Sequence, residues 1–228
     1  MDTIRLRLWT ADDIGLLRAA NTPEMTAHLN GPETEEQIID RNERYLRLGA
    51  AGEARNFVIV DAQDVPLGSI AYWRADWRGE PVLEAGWFVL PEAQGRGVAV
   101  RALALVIDDA REHRGERRLL TAFPAADNAA SNGVCRRGGF TQTGTFTEEF
   151  RGADLTMNEW ALALDGSGAD TFPTAPRWRG AGVGTASNGD EAPRGLRRPP
   201  RPLTRPRGGP RDASQRRADA RGARSPAR

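Results

Sequence analysis

LPEAQGRGVAVRALALVIDDARE, residues 90–112, closes one periodicity and opens another. Just before it, EAGWFVL (residues 84–90) is an apolar run of strand length that Pro91 stops. After it, apolar residues recur at helical spacing as far as His113. Between the two patterns stand Gly95 and Gly97, with Arg96 between them. Glycine is costly at the start of a helix unless the backbone there must come close to something. The first turn of a helix leaves several N–H groups without an intrahelical partner, and side chains with a Cβ would hold an anion away from them. Gln94, Gly95, Arg96, Gly97, Val98 and Ala99 therefore read as a phosphate cradle at a helix N-terminus. It is not a dinucleotide fingerprint, because Val100 stands where the third glycine belongs, and no GK[ST] is present.

The patterns on either side fill in a domain. IRLRLW (residues 4–9) alternates with period 2 and predicts a half-buried strand. Thr10 with Asp13 marks a helix start, followed by Ile14, Leu16 and Leu17 on one face. TEEQ (residues 34–37) is a capping box for a second helix running to Gly49. FVIVD (residues 57–61) and LGSIAYW (residues 67–73) read as a hairpin around AQDVP. Beyond the central helix come a strand, RLLTAF (residues 118–123), and a short helix in DNAASNGVCRRGGF closed by Gly138 and Gly139. Two strands, TQTGTFTEEF and LTMNEWALAL, finish the series. Runs of strands with few helices and one strand-helix-strand crossover predict an α+β (mixed α/β) domain.

Charge divides the chain. Residues 1–165 carry 18 Arg against 26 acidic residues, and residues 166–228 carry 14 Arg against 5. The second part is rich in Pro, Gly and Arg and almost free of aliphatic residues, so it predicts a disordered basic tail, 166–228, after a folded domain, 1–165. Two readings of the tail stand: a solvated extension, or a weak contact with nucleic acid or another anionic surface. All 32 basic residues are Arg, which excludes a phosphate-loop or Schiff-base lysine. Cys135 is the single cysteine, so no intramolecular disulfide forms, and the two histidines lack metal-ligand spacing. No apolar run approaches the roughly 20 residues of a membrane span, and MDTIRLRLW lacks the apolar core of a signal peptide. The expectation is a cytoplasmic protein without metal or membrane.

Gln94-x-x-Gly97-x-Ala99 after VLPE resembles the acetyl-coenzyme A pyrophosphate motif, Q/R-x-x-G-x-G/A, of the GNAT N-acetyltransferases. Asn128, Ser131, Gly139 and Phe140 follow in the order and spacing of that family's next segment. The opening strand and helix, GSIAYW and GFTQTG are similar to the branch containing the RimJ and RimL ribosomal-protein alanine acetyltransferases. The resemblance spans about residues 3–164 and implies a six- or seven-stranded, mostly antiparallel sheet with helices on both faces. It implies acetyl-coenzyme A as co-substrate, a primary amine as acceptor (a protein N-terminus or a small amine) and direct attack in a ternary complex. Pantetheine is then expected along Trp87, Phe88 and Val89, with the Val89 N–H polarising the thioester carbonyl. Asn128 would hydrogen-bond pantetheine, cap the next helix, or both. A homodimer is compatible with the resemblance.

The proton carriers stay open at this level. Cys135 stands where many family members have a tyrosine acid, which leaves that role unfilled. Ser131 occupies the position of the serine acid assigned in the RimL-like branch; the alternative is an ordinary helix serine. Glu149 matches that branch's catalytic glutamate after a one-residue gap, Glu148 replaces it if the alignment slips, and Glu84 on the cofactor strand is the rival. A different class of function also stands: a degenerate fold that binds acyl-coenzyme A or nothing, acting on nucleic acid through the tail.

Overall fold

The computed structural model describes residues 3–167, 172 and 173. Apart from Gly166, Ser167, Phe172 and Pro173, the expected basic tail lies outside the described residues. Seven strands form one sheet: β1 (Arg5–Leu8), β2 (Ala54–Val60), β3 (Pro66–Trp77), β4 (Glu80–Val89), β5 (Leu119–Ala122), β6 (Thr141–Phe150) and β7 (Ala153–Ala163). Their order is β1-β2-β3-β4-β5-β7-β6, and every pairing is antiparallel except β4 with β5. The helices are α1 (Ile14–Ala20), α2 (Glu35–Ala50), α3 (Val98–His113) and α4 (Ala129–Arg137). This is the mixed α/β domain that the residue pattern predicts and the mostly antiparallel sheet that the resemblance implies, with seven strands where six or seven are expected. Among the described residues no helix is long and apolar enough to cross a membrane.

Local signals explain most boundaries. The Thr34 hydroxyl accepts from Gln37 N while the Gln37 side chain accepts from Thr34 N, so the first turn of α2 is closed at both donors. Thr10 and Asp13 make the same reciprocal pair ahead of α1. One boundary is refined and another differs from expectation. The central helix, whose N-terminus the sequence places within Gln94–Ala99, begins at Val98, after both glycines, because Gly95 (φ 71°) and Gly97 (φ 73°) are left-handed and shape a turn. Strands β3 and β4 run on past the expected ends to a tight turn at Arg78 (φ 55°) and Gly79 (φ 82°), with Trp77 paired to Glu80.

The sheet buries both faces. On one, Leu83, Ala85, Leu120 and Trp160 pack with Val98, Ala102, Leu103 and Val106 of α3 and with Val134 and Cys135 of α4. On the other, Val58, Val60 and Leu90 pack with Leu16 and Leu17 of α1 and Ile38 of α2. A third cluster on that second face joins Trp77, Val82, Leu119 and Ala161, with Phe123 and Phe172 packed against it.

Candidate functional site

Strands β4 and β5 pair over two positions only, Leu83 with Leu120 and Glu84 with Thr121. Beyond them β4 continues to Val89 alongside β3 while β5 ends at Ala122, so the sheet opens between its two parallel strands. Leu90 N donates to the Leu67 carbonyl on β3 at 2.9 Å. Because successive residues of a strand direct their N–H and C=O to opposite sides, the N–H and C=O of Val89 face the opening. The Val89 carbonyl accepts from Gln94 Nε2 at 2.8 Å. A close backbone approach sets this strand end: a Cβ on Gly68 would lie 2.3 Å from the Phe88 oxygen and 2.8 Å from the Val89 Cα. Trp87 and Phe88 are half-buried and turn to opposite faces, Trp87 onto the α3 cluster and Phe88 onto the α1/α2 cluster.

The glycine turn lies at the same end of β4. Gln94, Gly95, Arg96 and Gly97 are exposed, Val98 is buried and Ala99 is half-buried. Gly97 is the N-cap of α3 and makes no side-chain cap, so the N–H groups of the first turn stay available. Arg101, not singled out from the sequence, folds back over this turn: its Nη1 donates to the Arg96 carbonyl at 2.8 Å and lies 3.3 Å from where a Gly97 Cβ would be. A guanidinium and the first-turn backbone N–H groups of α3 thus lie at one exposed turn, a donor set that fits a phosphate chemically.

The other wall is the turn from β5 into α4. Asn128 caps α4, its Oδ1 accepting from Ser131 N at 3.0 Å, so the cap uses the oxygen of the amide. Ser131 is half-buried in the first helical turn. Asn132 is the residue here that pattern reading missed. Its Nδ2 donates to the carbonyls of Ala125 and Asn128, both at 2.8 Å, and its Oδ1 accepts from Asn158 Nδ2 and Trp160 Nε1, both at 2.9 Å. Four bonds on one buried amide pin the turn to β7. Its only sequence trace is a polar residue on the apolar side of a helix. Cys135 is fully buried, and desolvation pushes its thiol up to about 12, so it is no nucleophile at neutral pH.

The glutamates divide by face. Residues paired across strands share a face. Glu84, 5% exposed, pairs with Thr121 at the last closed position of the split and alternates with Val82, on the face of Trp77 and α1/α2. On β6, Gly144 is opposite Glu159, Phe146 opposite Met157 and Glu148 opposite Leu155. Glu159 accepts from Trp77 Nε1 at 2.9 Å and from Arg78 Nη2 at 2.6 Å, and Phe146 stacks edge-on against Phe123 at 5.7 Å. Glu148 therefore shares the face of Glu84, and burial pushes its carboxyl up to about 7. Glu149 is exposed on the opposite face with Thr145, whose hydroxyl bonds Asn158 on the α4 side. Glu84 and Glu148 are brought to one side of the split; Glu149 is not.

The connection between α1 and α2, residues 21–33, spans the open end on that same side. Met25 Sδ lies 3.3 Å from Gln94 Nε2, and His28 Nδ1 lies 3.0 Å from Asp127 Oδ1. Asn30 donates to the Phe150 carbonyl and Arg151 to the Gly31 carbonyl, bringing the β6–β7 turn against it. Glu33, with a side chain 1% exposed, is ion-paired with both Arg41 and Arg151.

Residues 3–141 match the acetyltransferase (GNAT) domain family. No curated protein sequence matches the chain. Among solved structures, a RimL ribosomal L7/L12 α-N-protein acetyltransferase in complex with coenzyme A superposes with a TM-score of 0.61 at 21% identity, over 72% of this chain and 96% of that one. A spermidine N-acetyltransferase from Vibrio cholerae, in complex with coenzyme A and spermine, gives 0.60 at 19% identity over 71% and 96%. A ribosomal-protein-S5-alanine acetyltransferase from Vibrio fischeri gives 0.60 at 18% identity over 73% and 98%. At these identities the likeness is one of fold.

Proposed function

The chain belongs to the GNAT acetyltransferase family, and from that premise we propose that it transfers an acetyl group from acetyl-coenzyme A to a primary amine, a protein N-terminus or a small amine, by direct attack in a ternary complex. One observation carries this reading: the sheet opens beyond Glu84 and Thr121, and the Val89 N–H faces the opening beside an anion-binding helix start. The cradle of Gly95, Arg96, Gly97, Val98 and Ala99, with Arg101 over it, holds the pyrophosphate. The Asn128 amide nitrogen, left over from the cap, bonds pantetheine. The Val89 N–H then meets the thioester oxygen, where charge develops on attack.

Of the three glutamates, Glu148 is the proposed base. It lies on the face of the α1/α2 connection, two pairings back from the last pair before the β6–β7 turn that this connection touches, and a carboxyl near 7 is suited to accept a proton at neutral pH. Glu84 lies deeper on the same face, 5% exposed. Glu149, on the opposite face, has no part in proton transfer. In the step itself the amine nitrogen bonds the acetyl carbon, the carbon–sulfur bond breaks, the amine proton passes to Glu148, and the Ser131 hydroxyl donates a hydrogen bond to the departing thiolate.

The test is thiol release by the full chain with acetyl-coenzyme A and two probe amines, spermidine and an alanine-initiated decapeptide. Amine-dependent release with an acetylated product supports the reading. Release that is independent of every amine tried, or none from a protein that binds the co-substrate, overturns it.

A further inference from the structure

The α1–α2 connection is closed at its ends and tied in its middle. Asn21 Nδ2 donates to the Glu33 carbonyl and Asn21 Oδ1 accepts from Glu33 N, both at 2.8 Å, so residues 22–32 form a loop whose ends are stapled together. Inside it, Thr26 N bonds Thr22 O, and Leu29 N and Gly31 N bond Thr26 O. Those bonds shape the loop without attaching it to anything. Attachment comes from side chains: Met25 on Gln94 at the β4 wall, His28 on Asp127 at the β5 wall, and, at the β6–β7 turn, Asn30 on the Phe150 carbonyl and Arg151 on the Leu29 and Gly31 carbonyls.

His28 is the middle tie. A carboxylate has no proton to give, so Nδ1 carries the hydrogen and donates it to Asp127. Asp127 immediately precedes Asn128, the cap of α4, and its turn is fixed by Asn132. The bond therefore joins the loop on the amine side of the split to the turn on the pantetheine side.

Resting on the acetyl-coenzyme A reading of the split, we infer that His28 is a positioning residue for the acceptor: its bond to Asp127 holds the loop across the open end and fixes the surface over which the amine reaches the thioester. Loss of the bond frees the loop from the β5 wall alone, while the Asn21–Glu33 staple, the Met25 contact and the Asn30 and Arg151 ties to the β6–β7 turn keep the rest in place. The domain stays folded, and the acceptor meets a less ordered surface.

The experiment uses the full chain with His28→Ala and with His28→Asn, whose Nδ2 can take over the donation of Nδ1. KM is measured for whichever of spermidine and the alanine-initiated decapeptide the parent acetylates better, alongside acetyl-coenzyme A affinity. His28→Ala raises the acceptor KM about fivefold and leaves the co-substrate affinity within about twofold, while His28→Asn restores KM to within about twofold of the parent. Amide hydrogen exchange over residues 22–32 quickens in His28→Ala and not in His28→Asn, a readout that needs no turnover. An unchanged KM with unchanged exchange in the alanine variant overturns the inference, as does an asparagine variant that behaves like alanine. A parent that binds no acetyl-coenzyme A defeats the acetyltransferase reading instead, and the exchange data then decide the His28 tie alone.

Discussion

Gln94 donates through Nε2 to the Val89 carbonyl at 2.8 Å, which couples the first residue of the cradle motif to the end of the opened strand. In the proposed complex Gly95 and Gly97 would admit the phosphates, while the Gln94 side chain turns back to fix Val89, whose N–H would meet the thioester.

Replacing Gln94 with Ala leaves the Val89 carbonyl without this donor and loosens the strand end. One lost hydrogen bond of about 1 kcal/mol or slightly more lowers kcat/KM about tenfold. Steady-state kinetics check this. A reduced co-substrate affinity with unchanged kcat would place the role of Gln94 on the phosphates alone.

Gly68 admits no side chain, because its Cβ would meet the Phe88 carbonyl oxygen and the Val89 Cα, both backbone atoms. Gly68→Ala destabilises the protein by about 2 kcal/mol or more, as overpacking against an unyielding neighbour does, and lowers Tm by about 5 °C. Thermal unfolding gives the number. The same substitution displaces Val89 and weakens acetyl-coenzyme A binding.

Arg78 and Glu159 form an ion pair with side chains 17% and 6% exposed, and Trp77 completes the carboxylate's partners. Arg78→Ala strands that carboxylate and costs about 3 kcal/mol in denaturant unfolding. Glu159→Gln, which keeps an acceptor for Trp77, costs less. Equal losses from the two would contradict the assignment of the cost to a stranded charge.

Burial raises the Glu148 carboxyl to about 7, against an ordinary value of 4.5. The folded protein therefore holds an extra proton between those two values. Stability linked to Glu148 is present in full below the unfolded value and is lost as pH rises through about 7. Activity runs the other way: kcat/KM climbs through about 7 as the base loses its proton. Glu148→Gln removes that limb of the pH profile and flattens the stability slope, while Glu149→Gln changes neither. A limb that survives in Glu148→Gln contradicts the assignment.

Elements with a strong period or cap were legible in the sequence. Thr34 and Gln37 announced α2, the alternation from Ile4 to Trp9 contained β1, and Gly95 and Gly97 marked the turn ahead of α3. The full lengths of β3 and β4 were hidden because their turn is Arg78-Gly79, with an arginine at positive φ where asparagine or aspartate is the usual signal. The β6–β7 turn repeats the device with Arg151 (φ 51°) and Gly152 (φ 78°), and each arginine reaches a buried glutamate, Arg78 to Glu159 and Arg151 to Glu33. The faces of Glu148 and Glu149 are set after a register shift between Gln142 and Gly144. One extra residue in a strand exchanges its faces, so period-2 counting along the sequence does not tell which of the two glutamates shares the face of Glu84. Asn132 and the His28–Asp127 contact were beyond reach because their partners are distant in sequence: Asn158, Trp160 and a residue 99 positions away.

Isothermal titration of acetyl-coenzyme A into the full chain, with Gly97→Glu as the comparison, tests the central claim most directly. Gly97 lies at φ 73° as the N-cap of α3, with Arg101 3.3 Å from its would-be Cβ, so a carboxylate there fills and repels the proposed phosphate site. Micromolar binding by the parent, abolished in a variant whose thermal unfolding shows it still folded, is the predicted result. A folded parent that binds no acetyl-coenzyme A, or a folded Gly97→Glu that binds it as well as the parent, would contradict the account.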